Sequence, residues 1–581
     1  MPLKRVHILM LTFLLVGLGL LTKLGYYQII KGPEIARQAT AMRSRQVELK
    51  EYGRGEILDR NQLPLTGTRS TTAVYCLPKE MIRNYKLPQN NPAHATSKPS
   101  GEEALTRAAQ VLSSIIGEKD SAKLYSLLKQ AIKQGKSFVR IASDLTPEQI
   151  ARINSSQLSG VVVAPVIQRY REDGFMAHLL GYTSSGENSQ GISGLEKRYD
   201  SILKQNRTSS ELTSVLDARG IAIQGLMFKL RNEQEQNQGA ITLTIDKRVQ
   251  EIVEQAMNQH IKTGAVVVMD VDTKEVLAMA SRPTFNPYEV ERIVTDDDAS
   301  GSLNNRALMA YHPGSLFKIL VSAAALEEKL VSPAEQFYCD GNYEFNSQVS
   351  IPCLRETGHG LLDFSEGFAL SCNPTFISTG LRLGSDSLME YAQRLHLTDE
   401  RLLGYGEYQA KSFVTIENVK PAVGNACLGQ EGVMLTPLQI CNMVATIADD
   451  GQYGPPVLVR YTTDLKGEKQ IIPRPAKEKV LSLSTAQTIQ KLMQKVVDEG
   501  TGKNASLYQA GVAGKTATSQ TGNYDEDGQE ILNAWFAGFF PTDTPRWAIV
   551  VLCENGSSGS ENAAPVFKQI AYQMLDFYPT K

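Results

Sequence analysis

The chain has 581 residues, with 60 Lys and Arg against 62 Asp and Glu, and a formal net charge of -2. This length exceeds what one hydrophobic core usually contains, so we expect about two to four domains. The balanced charge excludes the strongly basic surface that nucleic-acid-binding proteins carry. Evidence for function must therefore come from local motifs.

The N-terminus carries one apolar segment. Residues 6–30 are apolar or neutral apart from one histidine and Lys23, and this length can span a bilayer. No small-x-small cleavage site follows, so we predict an uncleaved transmembrane anchor rather than a signal peptide. Lys4 and Arg5 precede the segment and predict a cytoplasmic N-terminus, with the rest of the chain outside the plasma membrane.

Residues 31–240 mix short alternating segments with helical ones and show no catalytic constellation. Alternation over 72–76 predicts a strand, and helical patterns occur over 102–116 and 121–134. A polar join at 231–238 then precedes an alternating apolar segment. We therefore place a domain boundary after this region.

From residue 241 onward the pattern is that of an α+β domain. Two apolar runs, 264–270 and 275–280, flank a short polar turn and predict a hairpin. The runs 533–540 and 546–552 predict a second hairpin near the other end. Hairpins at both ends, with helices between them, predict one antiparallel sheet whose first and last strands meet.

A candidate nucleophile and base occur together in this domain. Ser315 and Lys318 are three residues apart, so on a helix they would share a face and the amine could take the hydroxyl proton. Pro313 and Gly314 place Ser315 in the first helical turn, where free backbone N–H groups favour an oxyanion.

The Ser-x-x-Lys spacing alone is weak evidence, because solvated helix faces often produce it. Two other pairs share the spacing: Ser126/Lys129 and Ser201/Lys204. Two later elements distinguish Ser315. The sequence Ser371-Cys372-Asn373 supplies a second hydroxyl and an amide, and residues 511–520 predict a small-residue strand that a ligand can approach closely. That strand contains Lys515-Thr516-Ala517-Thr518.

These three elements, in this order, resemble the penicillin-binding proteins and serine β-lactamases. Further segments resemble the class B, monofunctional penicillin-binding proteins: Arg54-Gly-Glu-Ile-Leu-Asp-Arg60, Arg169-Tyr170, His178-Leu-Leu-Gly-Tyr182, Gly191-Ile-Ser-Gly-Leu-Glu196, Gly429-Gln-Glu-Gly432 and Thr436-Pro-Leu-Gln439. The resemblance covers the chain from Arg54 to the C-terminus. After the anchor predicted at 6–30, it implies a β-rich pedestal or dimerisation domain at 31–240 and a β-lactamase-like transpeptidase domain at 241–581, with helices flanking its antiparallel sheet.

The resemblance also implies chemical roles. Ser315 would attack the penultimate D-Ala carbonyl of a peptidoglycan stem peptide and form an acyl-enzyme, and β-lactams would inhibit by acylating it. Lys318 would be the general base if burial and the charge of Lys515 lower its pKa. Ser371 would relay a proton to the leaving amine, while Asn373 would orient Lys318 and the substrate amide.

The strand motif would bind the substrate. Lys515, Thr516 and Thr518 would hold the terminal carboxylate, and the backbone N–H groups of Ser315 and Thr518 would form the oxyanion hole. The family usually has Gly where this chain has Ala517. We expect the extra methyl group to narrow the gap between strand and substrate and to alter affinity for bulky β-lactams.

Four potential metal ligands lie between Ser315 and the end of the second motif: Cys339, Cys353, His359 and Cys372. Three thiolates and one imidazole suit tetrahedral Zn²⁺, so we predict a structural zinc site. A disulfide between Cys339 and Cys353, or three buried apolar thiols, are open alternatives. Some elongation-type relatives carry metal ligands in the same region, which favours zinc. The acyl-transfer chemistry would require no cofactor.

Other functions of an acyl-serine protein are less consistent with the sequence. A β-lactamase needs an activated water, and no Glu-x-x-Leu-Asn lies between Asn373 and Lys515 to supply the base. A β-lactam sensor would need a cytoplasmic signalling segment, and an inactive scaffold would have lost catalytic residues. We therefore predict a serine-type D-Ala-D-Ala transpeptidase. Its partners would be stem peptides, the plasma membrane, a glycosyltransferase and an elongation or division complex.

Overall fold

The computed structural model describes residues 2–35, 45–52, 54–67, 69–83, 101–117, 120–184, 189–204, 209–216, 230–232, 239–295, 300–399, 403 and 411–578. The chain divides into two units, which are taken separately. The first comprises Met1–Gly53, Arg69–Gln168 and Arg207–Glu235. The second comprises Arg54–Thr68, Arg169–Asn206 and Gln236–Lys581.

The α-helices of the described residues are α1 Pro2–Gly25, α2 Pro78–Arg83, α3 Gly101–Ile116, α4 Ser121–Lys133, α5 Pro147–Ser155, α6 Ala177–Leu180, α7 Gly194–Arg198, α8 Asp200–Leu203, α9 Lys247–His260, α10 Val290–Val294, α11 Lys318–Glu327, α12 Phe364–Ala369, α13 Asn373–Arg394, α14 Lys420–Cys427, α15 Pro437–Ala448, α16 Leu483–Asp498 and α17 Ala564–Phe577. The strands are β1 Arg45–Tyr52, β2 Ile57–Leu58, β3 Arg69–Cys76, β4 Val139–Ala142, β5 Val161–Gln168, β6 Ser209–Leu216, β7 Leu230–Asn232, β8 Ala240–Leu243, β9 Gly264–Asp270, β10 Val276–Arg282, β11 Gln336–Cys339, β12 Asn342–Asn346, β13 Val349–Pro352, β14 Gly360–Asp363, β15 Phe413–Val414, β16 Val433–Met434, β17 Gln452–Tyr453, β18 Val459–Thr463, β19 Lys469–Ile471, β20 Glu478–Lys479, β21 Ala513–Tyr524, β22 Glu530–Phe540 and β23 Trp547–Glu554.

The apolar N-terminal segment is helical. Helix α1 continues into the π-helical turn Tyr26–Ile30, and the apolar part, Val6–Ile30, is 25 residues long. None of its most apolar stretch is buried against the rest of the protein. By length and composition this segment can cross a membrane, in agreement with the prediction of an apolar anchor.

The first unit combines sheets with helices. Strand β3 pairs antiparallel with β5 and with β4, and β6 pairs with β1 and β7. Helices α3 and α4 bury their apolar faces with β3 and β5 in one cluster, and Asp120 caps the start of α4 by accepting the backbone N–H groups of Ala122 and Lys123. The strand predicted at 72–76 and the helices predicted at 102–116 and 121–134 are confirmed.

The second unit is built on a five-stranded antiparallel sheet in the order β10-β9-β23-β22-β21. Strand β23 pairs with β9, so the first and last hairpins of the domain meet as predicted. Alternate residues of β9 enter different cores. Val266 and Val268 pack with α9 and α17, whereas Val267 and Met269 pack with α11 and α15 on the opposite face. Helices therefore cover both faces, and β21 forms one edge.

Segments 54–68 and 169–206 also belong to the second unit. Glu196, whose side chain is fully buried, pairs with Arg54 and Arg169 and accepts a hydrogen bond from Tyr170 at 3.0 Å. Several motifs of the family resemblance are thus joined by one buried ionic cluster. The predicted boundary after residue 240 stays a prediction, and most of the polar join at 231–238 lies outside the described residues.

Candidate functional site

Ser315 lies in a 3-10 turn, Gly314–Phe317, which we call the nucleophile turn and which leads directly into α11 at Lys318. Gly314 has φ +57°, a left-handed conformation that favours glycine, and its N–H donates to the Gly429 carbonyl at 2.9 Å. The sequence predicted Ser315 in the first turn of a helix. The structure places it just ahead of α11, at the same end.

The second motif lies between two helices. Asp363 and Glu366 form a capping box that begins α12, and Pro374 is near the start of α13. Ser371, in the connection between them, has φ +57°. That conformation costs a residue other than glycine about 1 to 2 kcal/mol, so the surrounding contacts must hold it.

Those contacts join all three motifs. The amine of Lys318 donates to the Ser371 carbonyl and to Asn373 Oδ1, both at 2.8 Å, and to Ser371 Oγ at 3.3 Å. The amine of Lys515 donates to Ser371 Oγ at 2.9 Å. Ser371 Oγ in turn donates to Ser315 Oγ at 3.0 Å. One hydroxyl therefore connects the candidate nucleophile with two lysines.

Both lysines are fully buried, and this burial changes the pKa of each amine. Burial lowers the pKa of Lys318 to about 8, because the charged amine loses its hydration. Burial, followed by the charge of Lys318, lowers the pKa of Lys515 well below its usual value. A neutral amine, which a general base requires, is therefore accessible to Lys318 near neutral pH.

The third motif lies on β21, which confirms the predicted strand. The Ala517 side chain is 4% exposed, and a Cβ built on Gly314 would lie only 3.3 Å from the Ala517 Cβ. Residues alternate along a strand, so Ala517 shares the face of Lys515. The methyl group thus faces the nucleophile turn, and the narrowing of the gap between strand and substrate stays a prediction.

The structure adds one hydroxyl that lies outside the three sequence motifs. Thr501 Oγ1 lies 2.5 Å from Thr516 Oγ1, and the Thr501 N–H donates to the Ala369 carbonyl at 3.2 Å. The sequence feature that could have identified Thr501 is its position between two glycines, Gly500 and Gly502. A Cβ on Gly500 would lie 2.2 Å from the Ala369 oxygen, so this close approach requires glycine.

The four predicted metal ligands converge beside the second motif. One ligand atom from each of Cys339, Cys353, His359 and Cys372 lies within 4.8 Å of all the others. His359 Nδ1 is 3.6 Å from the sulfur atoms of both Cys339 and Cys353. A hydrogen bond with Cys372 lowers the pKa of the Cys353 thiol. This donor set can hold a metal ion.

The lysines of the other two Ser-x-x-Lys pairs lie at the surface and form ion pairs there. Ser126 Oγ donates to the Ala122 carbonyl within helix α4, and Lys129 pairs with Glu102 at 2.9 Å. Lys204 pairs with Asp200 at 2.8 Å, one helical turn before it. Both lysines form ion pairs at the surface, which distinguishes them from Lys318.

Known protein families match both units. A family model described as the penicillin binding protein transpeptidase domain matches residues 264–572, and one described as the penicillin-binding protein dimerisation domain matches residues 50–224. The chain belongs to the penicillin-binding protein transpeptidase family. This is a family of serine acyltransferases that act on peptidoglycan stem peptides and bind β-lactams. The resemblance and the enzyme class predicted from the sequence are confirmed.

Individual penicillin-binding proteins are similar along nearly the whole chain. Stage V sporulation protein D of Bacillus subtilis is 29% identical over 98% of this chain and 85% of that protein. Peptidoglycan D,D-transpeptidase FtsI of Escherichia coli is 26% identical over 95% of this chain and 88% of its own length. The crystal structure of apo penicillin-binding protein 3 from Mycobacterium tuberculosis superimposes with a TM-score of 0.61 at 22% identity, covering 91% of this chain and 97% of that one. The predicted fold class is confirmed.

Proposed function

We propose that the chain is a membrane-anchored peptidoglycan D,D-transpeptidase that cross-links stem peptides through an acyl-enzyme on Ser315. The observation that carries this proposal is the Ser371 hydroxyl, which contacts Ser315 Oγ at 3.0 Å and accepts hydrogen bonds from two buried lysines. A serine in that environment can lose its proton to a neutral amine as it attacks a carbonyl.

In the first half-reaction, Ser315 Oγ bonds to the carbonyl carbon of the penultimate D-Ala. Neutral Lys318 accepts the Ser315 proton, and the hydrogen-bonded path through Ser371 Oγ carries a proton to the nitrogen of the departing D-Ala as the peptide bond breaks. The backbone N–H groups of Ser315 and Thr518 stabilise the negative charge on the carbonyl oxygen. The products are the acyl-enzyme and free D-Ala.

In the second half-reaction, the amine of another stem peptide attacks the ester carbon and restores the Ser315 hydroxyl. Asn373 accepts the Lys318 amine on Oδ1 at 2.8 Å, and its Nδ2 donates to the Pro352 carbonyl at 2.9 Å, so the side chain is fixed where it would orient Lys318 and the substrate amide. The terminal carboxylate is bound by Lys515, Thr516 and Thr518. The Thr501 hydroxyl, which lies beside that of Thr516, supplies a fourth polar group to this binding site. Ala517 contributes its backbone to this strand.

A direct test uses the full-length chain in detergent with a synthetic pentapeptide donor and an amine acceptor. We expect release of one D-Ala for each cross-linked product and an acyl adduct on the Ser315 peptide by mass spectrometry. Rapid turnover of a β-lactam without cross-linking would support a β-lactamase instead. Stable β-lactam adducts with no peptide turnover would support a sensor or scaffold.

We also propose that Cys339, Cys353, His359 and Cys372 bind a structural Zn²⁺. Zinc bonds of about 2.3 Å to sulfur and 2.0 to 2.1 Å to nitrogen give a sulfur-to-nitrogen edge of about 3.6 Å in a tetrahedron. The two distances from His359 Nδ1 equal that edge. A disulfide would instead require two sulfurs about 2.05 Å apart, whereas all cysteines here are free thiols. Zinc would supply structural cross-linking and no step of acyl transfer.

For the remaining architecture we propose a cytoplasmic N-terminus, an anchor at 6–30, a pedestal at 31–240 and an extracytoplasmic transpeptidase domain at 241–581. The proposal is supported by the apolar helix and by the basic residues Lys4 and Arg5 before it. The pedestal would contact a glycosyltransferase and an elongation or division complex. Protease added to spheroplasts should digest the Ser315 peptide, and its protection would contradict this orientation.

A further inference from the structure

The nucleophile turn is packed between two backbone segments. On one side a Cβ on Gly429 would lie 2.1 Å from the Gly314 oxygen, and the two residues share a hydrogen bond of 2.9 Å. On the other side the turn meets strand β21, where a Cβ on Gly314 would lie 3.3 Å from the Ala517 Cβ and 3.1 Å from the Ser519 Cβ. The turn is therefore confined from both directions.

The position of Ala517 depends on Trp535, its neighbour on the adjacent strand. Trp535 is its direct partner across the β21 and β22 ladder, and cross-strand partners project from the same face. The Trp535 ring is fully buried, donates to Ser519 Oγ at 3.2 Å and packs edge-on against Tyr311 at 5.9 Å. Because this indole is fixed by its contacts with Ser519 and Tyr311, the Ala517 methyl group provides a rigid surface to the turn.

We propose that Ala517 is a positioning residue for acyl transfer: its methyl group is the surface on which the nucleophile turn rests, and it sets the spacing between Ser315 and Thr518. This inference rests on the proposed acyl-enzyme, since the attacking oxygen and both oxyanion donors belong to those two residues. Ala517 acts through Ser315 and not through contact with the substrate. Without the methyl group a gap opens, and the turn can move by a fraction of an ångström.

The test measures acylation of the full-length chain in detergent by nitrocefin in a stopped-flow instrument. This experiment separates the dissociation constant of the initial complex from the rate constant of acylation. Ala517→Gly should lower the rate constant about three- to tenfold and leave the dissociation constant unchanged. Ala517→Ser keeps the Cβ and should stay within about twofold of the wild-type rate constant.

The matched control is Ala513→Gly, because Ala513 is a buried alanine on the same face of β21. It should lower the melting temperature as much as Ala517→Gly does while leaving the acylation rate constant unchanged. Equal slowing by the two glycine variants would overturn the inference, since weakening of the strand would then be the cause. A slow Ala517→Ser variant would also contradict it.

A second comparison uses a small penicillin and a bulky cephalosporin. If the methyl group supports the turn, Ala517→Gly slows both compounds by the same factor. Faster acylation in proportion to ligand size would overturn the inference, because the methyl group would then face the ligand. Failure of the proposed function is distinguishable from both results, since in that case the wild-type chain would form no adduct on Ser315.

Discussion

Two buried polar clusters adjoin in the second unit and share the sequence Ser371-Cys372-Asn373, yet they are held together differently. In the catalytic cluster, the Lys318 and Lys515 amines donate to oxygen atoms at 2.8 to 3.3 Å, so the chain supplies its own hydrogen-bond partners. In the cysteine cluster, sulfur and ring nitrogen lie 3.6 Å apart, the edge length of a zinc tetrahedron. The first cluster is complete through hydrogen bonds, whereas the second has the spacing of ligands around an ion.

The largest expected effect comes from removing the nucleophile. Ser315→Ala should form no covalent adduct with a fluorescent penicillin, because the acyl group has no oxygen to bond. Labelling on a gel and mass spectrometry measure the outcome. Ser126→Ala is the matched control and should label like the wild type, since Ser126 belongs to a surface Ser-x-x-Lys pair. Covalent penicillin on Ser315→Ala would contradict the assignment.

Removing the base should have the next largest effect. Lys318→Met fills a similar volume but cannot accept a proton, so the acylation rate constant should fall about 10²- to 10⁴-fold. Stopped-flow kinetics measure the rate constant, and circular dichroism checks that the variant folds. Lys129→Met, in the surface pair, should acylate normally. A Lys318→Met rate within about threefold of wild type would give the base role to another residue.

The pH dependence of the acylation rate constant also tests whether Lys318 is the general base. Lys318 acts only when deprotonated, and its pKa of about 8 means that the active form is lost as the pH falls. The acylation rate constant should therefore drop about tenfold per pH unit below 8 and level off above it. Rates at pH 6 to 9.5 with nitrocefin measure the profile. A flat profile across that range would contradict a titrating base.

The smallest of these effects probes the cysteine cluster. Wild-type protein purified without added metal should contain about one zinc per chain by elemental mass spectrometry. The Cys372→Ser variant should lose this zinc. Because Cys372 tethers the Ser371 and Asn373 connection, acylation should slow about tenfold and the melting temperature should fall with it. Cys76→Ser, which removes a buried thiol from the first unit, is the control and should retain the metal.

The zinc proposal also has a clear contrary outcome. If the wild-type protein carries no metal and mass spectrometry finds a disulfide between Cys339 and Cys353, then the cluster is an oxidised cross-link. A chelator that leaves acylation and melting temperature unchanged would likewise contradict a structural metal ion. Either result would mean that no metal ion distinguishes the cysteine cluster from the catalytic cluster.

Local sequence determined the elements that position the site. An apolar run predicted β9, a small-residue pattern predicted β21, and the order of the three motifs predicted which serine and lysine belong together. These features depend on neighbours a few residues apart, so they are encoded locally. The apolar N-terminal helix was predictable for the same reason, because hydrophobic length alone sets whether a helix can span a bilayer.

Tertiary structure alone decided how the motifs meet. Strand periodicity shows that Ala517 shares a face with Lys515, but not that this face meets the nucleophile turn. Thr501 approaches Thr516, and Ser371 bridges Ser315 to Lys318 and Lys515, through contacts between segments far apart in the chain. Such contacts depend on how helices and sheet pack as a whole, and burial in that packing, rather than sequence spacing, lowers the pKa of Lys318.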